Sequence, residues 1–176
     1  MEIFIVGIVV VALMVFVSTK IKKSAGQAFV PEFIEKDEFT IAKPEGFMSP
    51  LEGNSDFLFE AYSREYGEKK TRNVRQAQAF LTVTNGLNFD GEGAKAKSLA
   101  DKILSERVLG NASGDEKVFL LESEKTEDDF PMIDFRKIVE SRKRQKTYNL
   151  QVSVLPPFRD VYIHRINEMI NSFRLK

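Results

Sequence analysis

The sequence contains no cysteine and only one histidine, His164, and both shortages exclude kinds of site. A chain without cysteine has no disulfide framework, no thiol nucleophile and no cysteine-ligated zinc or iron–sulfur centre. One histidine is too few for a multi-histidine metal centre. The 26 basic and 26 acidic residues cancel, whereas nucleic-acid-binding domains are usually strongly basic. We therefore expect no metal, no cofactor and no nucleic-acid partner.

Catalytic motifs are also missing. The sequence has no phosphate-binding G-x-x-x-x-G-K-[ST] loop and no G-x-S-x-G nucleophile turn. His164 lies in a segment with helical spacing, which is typical of a surface side chain rather than a catalytic base. Residues 91–96 match G-x-G-x-x-A and have two interpretations, a phosphate site at a helix N-terminus or a flexible helix entry. The six residues that follow Thr84 and the charge of Glu92 favour the second, so we predict no catalytic residue.

One long apolar run stands at the start of the chain. Residues 3–17 are all apolar or glycine, and the lysines Lys20, Lys22 and Lys23 follow. A helix of about 17 residues spans roughly 26 Å, slightly less than a ~30 Å hydrocarbon core, and lysine snorkelling extends its reach. A cleaved secretory signal needs a basic segment before the run, but Glu2 stands there. We predict an uncleaved transmembrane anchor, with a cleaved signal and a buried core helix as the alternatives.

The charges beside the run predict its orientation. Lys20, Lys22 and Lys23 flank its C-terminal side, and the positive-inside rule then places that side in the cytoplasm. We expect a single-pass protein of the cell membrane whose C-terminal domain is cytoplasmic. Residues 1–23 are predicted to be the anchor and its basic flank, residues 24–36 a linker, and residues 37–176 a globular domain.

The rest of the sequence alternates between strand and helix patterns. Strand-like alternation, or aromatic and β-branched content, marks six segments: 39–41, 56–62, 77–84, 117–124, 132–140 and 147–155. Helical spacing marks two more, residues 91–108 and residues 157–176. This order predicts an α+β fold, a mostly antiparallel sheet of about six strands with two packed helices. We expect seven apolar side chains to be buried together: Leu99, Ile103, Val152, Val154, Ile166, Ile170 and Phe173.

Two short motifs resemble a known family. The pattern F-x-I-x-x-P-E-G-F at residues 39–47 and the ending I-N-S-F at residues 170–173 resemble the PsbP-like α/β/α sandwich. In that family an early strand leads into P-x-G-[FW], and Phe47 stands here where Trp is frequent. The resemblance covers residues 37–176 in element order and extends to uncharacterised bacterial proteins that carry such a domain behind an anchor. It implies a binding or assembly module and assigns no site residues.

Charged loops are the remaining candidates for a site. A basic hairpin tip, here called the basic tip, is predicted between the last two strands and consists of Arg142, Lys143, Arg144 and Lys146. The basic tip can contact anionic headgroups or a partner, each basic residue adding ~1 kcal/mol near a membrane, or it can be a solvated turn that protects a sheet edge. Residues 69–75 form a second basic loop and residues 122–129 an acidic stretch that lacks calcium-loop spacing. We expect both to be solvated.

By elimination, the sequence predicts a membrane-anchored interaction or scaffolding domain that holds a protein partner at the membrane. The alternative is a small-ligand-binding protein, or an enzyme whose site is assembled from scattered Asp, Glu, Arg and Tyr side chains. A pocket with converging carboxylates of shifted acidity would favour the alternative. A smooth domain with a filled core would favour the interaction domain.

Overall fold

A computed structural model of the protein describes residues 13–17, 29–50, 56–67, 74–110 and 114–176. Residues 13–17 are helical. The rest of the predicted anchor, including Lys20, Lys22 and Lys23, lies outside these ranges. Within them, no helix has both the length and the apolar character needed to cross a membrane.

Besides the helical residues 13–17, the described ranges contain nine strands, two α-helices and one 3-10 helix. In chain order the strands are β1 (Glu32–Glu35), β2 (Phe39–Lys43), β3 (Phe59–Tyr62), β4 (Ala77–Asn85), β5 (Lys102–Gly110), β6 (Glu116–Glu127), β7 (Phe130–Ser141), β8 (Lys146–Val154) and β9 (Arg174–Leu175). Helix α1 (Phe89–Ser98) precedes β5, and the 3-10 turn Pro156–Phe158 leads directly into α2 (Arg159–Ser172).

The strands form two antiparallel sheets. The larger has the order β3-β4-β8-β7-β6-β5, and the smaller has the order β1-β2-β9. Strands β6 and β7 meet at a tight turn in which Asp128 and Asp129 have φ values of 51° and 70°. Aspartate tolerates this left-handed conformation better than most residues, and such turns match the twist of the paired strands. The predicted α+β fold with a six-stranded antiparallel sheet is confirmed.

Both faces of the larger sheet are covered, which gives three layers. Helix α2 packs over β7 and β8 and against β2, and α1 packs over β6 and β7 on the opposite face. The main core lies on the α2 side, where Leu150, Val152 and Ile166 are fully buried. The apolar residues of β8 face this core and the polar residues between them face the α1 side, because a strand directs successive side chains to opposite sides. A smaller core on the α1 side contains Phe89, Ala96, Phe119, Leu121 and Ile138.

The predicted helix over residues 91–108 is wrong in its second half. Helix α1 ends at Ser98, and residues from Lys102 onward form β5, which pairs with β6. Ile103 and Val108 are β-branched and fit a strand, and the hydrogen bonds of the ladder outweigh the helical spacing of the apolar residues. A propensity pattern is a weak guide when tertiary pairing opposes it.

The predicted core changes accordingly. Leu99 and Ile103 are 51% and 42% exposed, so their predicted burial is wrong. Leu99 follows the end of α1, and Ile103 lies in the exposed edge strand β5, so neither is packed by the long helix that was predicted. Burial is confirmed for Val152, Val154, Ile166 and Phe173, and Ile170 packs against the main core while partly buried.

Strand β1 lies inside the segment that was predicted to be a linker, residues 24–36. It pairs with β2 over four residues, from Glu32 opposite Lys43 to Glu35 opposite Thr40. The folded domain therefore includes Glu32–Glu35, because their backbone groups complete the edge of the smaller sheet. The alternation in E-F-I-E is too short to separate a strand from a loop.

Candidate functional site

The α2 layer leaves β5 and β6 largely uncovered. A groove runs between α2 and these strands, here called the open groove. One part of about 370 Å³ is lined by Ser105, Arg107, Leu120, Leu121, Glu122, Phe135, Arg136, Arg159, Ile163, Asn167, Ile170 and Asn171. A second part of about 270 Å³ shares Leu120, Ile170 and Asn171 with the first and continues towards β9. The shared residues make the two parts one continuous surface.

The open groove has an apolar floor and a charged rim. Leu120 and Phe135 come from the sheet and Ile163 from α2. On the rim, Arg159 Nη2 donates to Glu122 Oε1 at 2.9 Å, which ties the start of α2 to β6. Across the groove stands the exposed Arg107, and no group in the described part of the chain pairs with its guanidinium. An apolar floor with one available cation suits an apolar ligand that also carries negative charge.

Lys137 fixes the far wall of the open groove. Its Nζ donates to the carbonyl oxygens of Ile170 at 2.9 Å, in the last turn of α2, and Phe173 at 2.8 Å, directly after the helix. Such carbonyls lack partners inside a helix, and a cation there also complements the helix dipole. Burial, and to a lesser extent the nearby charge of Arg174, lowers the pKa of Lys137 to about 8. The lysine therefore holds the C-terminal end of α2 in place beside the groove.

Strand β5 forms the outer rim and is exposed along its whole length. Val108 is 66% exposed and Leu109 is 51% exposed, although both are large apolar side chains. No other strand in the described ranges pairs with its outer edge. The ladder with β6 is interrupted between Ile103 and Ser105, and from Ser105 to Gly110 it is regular. Irregularities of this kind disrupt pairing locally, so the regular part is the better template for another strand.

A buried polar cluster lies on the α1 face of the larger sheet. Asp134, 1% exposed, accepts hydrogen bonds from Ser153 Oγ at 2.6 Å, Gln151 Nε2 at 3.0 Å and Arg136 Nε at 2.6 Å. Lys125 Nζ lies 3.4 Å from the same carboxylate. Both oxygens of Asp134 thus have partners, and the cluster stabilises the centre of the sheet. Among the described residues, no group of His, Cys, Asp or Glu side chains is placed to hold a metal ion.

The basic tip forms the turn between β7 and β8, as predicted. Arg144 Nη2 donates to the carbonyl oxygen of Lys176 at 2.6 Å, and Lys146 forms an ion pair with Glu38. Tyr148 also donates to Glu38 at 2.9 Å. Burial and this hydrogen bond raise the pKa of Tyr148 to about 12, while Lys146 and Tyr148 together lower the pKa of Glu38. Two of the four basic groups therefore join the tip to the smaller sheet.

The basic tip lies far from the point where the chain enters the domain. Strand β8 starts at Lys146, beside the tip, and ends at Val154. At that opposite end Gln76 N donates to Arg64 O, and the Arg64 guanidinium lies 6.0 Å from the ring centroid of Phe29. The segment that begins at Phe29 thus enters at the end of β8 remote from the tip. Contact of the tip with headgroups stays a prediction.

The other sequence candidates have structural roles or lie elsewhere. The amide of Phe89 donates to Glu140 Oε2 at 3.0 Å, so a carboxylate of the protein already occupies the start of α1 where a phosphate was considered. His164 is exposed on α2. In the acidic stretch, Glu127 pairs with Lys125 at 2.7 Å. Residues 68–73 and 111–113 lie outside the described residues.

The sequence reasoning missed the open groove and the free edge of β5. Both depend on where α1 ends, and the predicted longer helix would have filled this part of the domain. The available signal was the pair of β-branched residues Ile103 and Val108 together with the charged Lys102, Glu106 and Arg107. Charged residues among apolar ones are typical of edge strands.

Comparison with known proteins relates this fold to solved structures. No protein family and no curated protein matches the sequence. The PsbP protein CyanoP of Synechocystis sp. PCC 6803 superposes with a TM-score of 0.55 at 12% identity, covering 84% of this chain and 94% of that one. The Ran-binding protein Mog1p of Saccharomyces cerevisiae gives 0.52 at 11% identity, with 84% and 96% covered.

LpqN of Mycobacterium tuberculosis, described as involved in cell envelope biogenesis, gives a TM-score of 0.52 at 13% identity, with 84% of this chain and 90% of that chain covered. The chain therefore has a PsbP/Mog1-like fold, and the fold implied by the two short motifs is confirmed. At these identities the likeness concerns the fold alone, because one fold hosts unrelated functions.

Proposed function

We propose that this protein is an interaction domain, tethered to a membrane, that binds a partner protein in the open groove and along β5. The observation that carries the proposal is the unfinished layer over β5 and β6. An apolar groove there lies beside a strand whose outer edge has no partner in the described ranges. Exposed apolar patches and long open edges are costly in water and are usual where another chain binds.

The neighbours of the fold support this reading. Mog1p is a Ran-binding protein, so a domain of this shape serves protein binding in that case. The alternative of an enzyme or a small-ligand site has less support. The most buried carboxylate among the described residues, Asp134, accepts three hydrogen bonds, and Glu122 on the groove rim is held by Arg159. A groove open along its length also suits a chain segment better than an enclosed small molecule.

The membrane tether is part of the same proposal. Residues 3–17 would cross the membrane of a bacterial cell, and Lys20, Lys22 and Lys23 would keep the domain in the cytoplasm. The basic tip lies roughly 27 Å along β8 from the entry of the chain, given ~3.4 Å per residue. Residues 18–28 reach at most about 36–40 Å when fully extended, so roughly three quarters of that length would be needed for the tip to touch headgroups. Within this proposal the tip faces away from the membrane and is available to a partner.

Site-specific cross-linking tests the partner site. A photo-reactive amino acid replaces Leu109 on the groove rim or Val161, which is 59% exposed on α2 and does not line the groove. We expect one discrete adduct from Leu109 in intact membranes and none from Val161. Asn167→Arg should block the groove and abolish that adduct, whereas Glu168→Arg, its neighbour outside the groove, should not. Equal adducts from both positions, or an adduct insensitive to Asn167→Arg, would contradict the proposal.

Protease protection in spheroplasts tests the tether and its orientation. The wild-type domain should resist external protease until the cells are lysed. Replacing Lys20, Lys22 and Lys23 together with Glu should make at least part of the domain accessible, because the rule counts basic residues beside the segment. Complete digestion of the wild-type domain without lysis would show that it faces outward. Release of the chain by alkaline washing would show that no anchor exists.

A further inference from the structure

We infer that the partner contributes an extended, acidic and apolar segment that adds as a seventh strand to β5 over Ser105–Gly110 and places a carboxylate beside Arg107. This inference rests on the proposed function and specifies how the partner is recognised. It follows from three features of β5: its backbone register, the two faces of its side chains, and the charge that it presents to the open groove.

The backbone of β5 offers a template of limited length. Six consecutive residues pair with β6 in unbroken register, from Ser105 opposite Glu122 to Gly110 opposite Lys117. The same residues turn their other edge to solvent, where an edge strand presents a row of free amide and carbonyl groups. The irregularity between Ile103 and Ser105 breaks the row on one side. A partner strand therefore fits best over about six residues, which is a common length for strand addition.

The exposed apolar side chains favour a strand over a helix as the occupant. Leu109 lies on the groove side of the sheet, opposite Val118. Val108 lies on the other side, opposite Phe119, which belongs to the core beneath α1. A helix lying in the open groove would cover Leu109 and leave Val108 in water. An added strand has side chains on both faces and covers both residues.

The charges facing the groove select an acidic segment. The basic groups are Arg107, Arg159, Lys137 and Arg174, and the acidic groups are Glu116 and Glu122. Glu122 is paired with Arg159, and Lys137 is held by two carbonyl groups. Arg107 remains available among the described groups, at the centre of the six-residue template. A residue directly opposite it on an added strand lies on the same face, so a carboxylate there forms a cross-strand ion pair.

A second copy of this chain is a poorer occupant than an acidic segment. Two-fold pairing of two β5 strands centred on Arg107 would place two guanidinium groups opposite each other. Centring the pair on Glu106 would oppose two carboxylates. Like charges directly opposite one another destabilise a strand pair. Self-association through β5 is therefore an outcome that the test must be able to reveal.

The test uses a synthetic seven-residue peptide that alternates valine and glutamate, with the full-length protein in nanodiscs. Binding is measured by fluorescence anisotropy, and a valine–lysine peptide is the comparison. We expect the glutamate peptide to bind and the lysine peptide to bind about two- to fivefold more weakly, the range that one cross-strand charge pair supports. Arg107→Glu should reverse this preference. Lys102→Glu makes the same charge change outside the template and should leave the preference intact.

Backbone methylation then tests strand addition itself. N-methyl groups on alternate residues of the peptide remove the amide donors along one edge only. One alternate set should weaken binding at least about tenfold and the other less than about twofold, because a single edge faces β5. Equal effects of the two sets, a preference for lysine in the wild type, or dimers of the free protein that Arg107→Glu dissociates would overturn the inference.

The failures of the two proposals can be distinguished. If the Leu109 adduct is lost in Asn167→Arg but the peptides show no charge or edge preference, a partner binds the groove in another way and only this inference fails. If no adduct forms at Leu109, the proposed function fails as well.

Discussion

At the β3 edge of the larger sheet, the outer strand is four residues long and ends at Tyr62, which exchanges two backbone hydrogen bonds with Met48 at 2.8 and 2.9 Å. At the β5 edge, the outer strand is nine residues long, and within the described ranges nothing pairs with its outer side. Phe59 and Ala61 of β3 are buried, whereas every residue of β5 is exposed. The chain thus provides backbone partners at the β3 edge of the sheet, whereas the β5 edge has none within the described ranges.

The difference shows that the open edge is a specific feature of this domain rather than a general weakness of a small sheet. At the β3 edge, Met48 pairs with Tyr62, and the rings of Phe57 and Tyr62 pack on Phe80. No comparable contacts cover the β5 edge within the described ranges. Edges that stay open usually carry charges that discourage aggregation, and β5 carries Lys102, Glu106 and Arg107. The following experiments test how far the two edges differ.

Hydrogen exchange should reveal the largest difference. The amide of Tyr62 donates to the carbonyl oxygen of Met48. Its hydrogen should exchange with solvent only through an opening of the sheet, which costs about 5 kcal/mol in a domain of ordinary stability. The outward-facing amides of β5 should exchange with almost no protection. Nuclear magnetic resonance on the free protein measures both sets in one sample. Equal protection at the two edges would show that part of the chain outside the described residues covers β5.

Truncation of side chains should give the next largest difference. Phe59 is 5% exposed in β3, and Phe59→Ala should lower the free energy of unfolding by ~3–5 kcal/mol through lost burial and a cavity. Val108 is 66% exposed in β5, and Val108→Ala should change it by less than ~0.5 kcal/mol. Urea denaturation measures both. Similar losses for the two variants would mean that Val108 is covered in solution.

The pH dependence of stability should sharpen the contrast on the groove side. Burial lowers the pKa of Lys137 to about 8 from 10.5, so between these values the unfolded chain binds more protons than the folded one. The free energy of unfolding should therefore rise as the pH increases from 8 to 10. Lys137→Met should flatten this rise in urea titrations, whereas Lys143→Met in the basic tip should retain it. A rise that survives Lys137→Met must come from another group.

The smallest effect is expected at Glu38, which lies between β1 and β2 and contacts the basic tip. Hydrogen bonds from Lys146 and Tyr148 lower the pKa of this carboxyl from 4.5. The stabilisation is complete above the unfolded pKa and is lost as the pH falls through the lower folded value. Glu38→Gln should remove a small part of the acid limb, since partly exposed pairs contribute little. The exposed Glu168→Gln is the control, and equal acid limbs in the two variants would contradict the assignment.

Much of the fold could be predicted because the period of apolar residues along each segment indicates a strand or a helix. In β8 the alternation of Tyr148, Leu150, Val152 and Val154 with polar residues predicts a strand with one buried and one wet face. The structure confirms the buried face, but the polar face is covered too, since Thr147 and Ser153 are buried. The helix predicted for residues 99–108 was wrong because their apolar spacing fits both a helix and an edge strand. Only the pairing with β6 decides between the two. The open groove was missed for the same reason, since one of its walls is β5, which was predicted to be helical.

The sequence by itself determined five of the six strands of the larger sheet, the C-terminal helix and the absence of cysteine chemistry, because period, turn residues and composition are local properties. It also carries the apolar run of residues 3–17, whose role as an anchor stays a prediction. Only the tertiary structure decided that β5 is an edge, that Lys137 holds the end of α2 and that Arg107 faces an open groove. Each of these facts depends on contacts between groups that are distant in sequence. Such contacts form only when the sheet brings the groups together, so a local sequence pattern does not predict them.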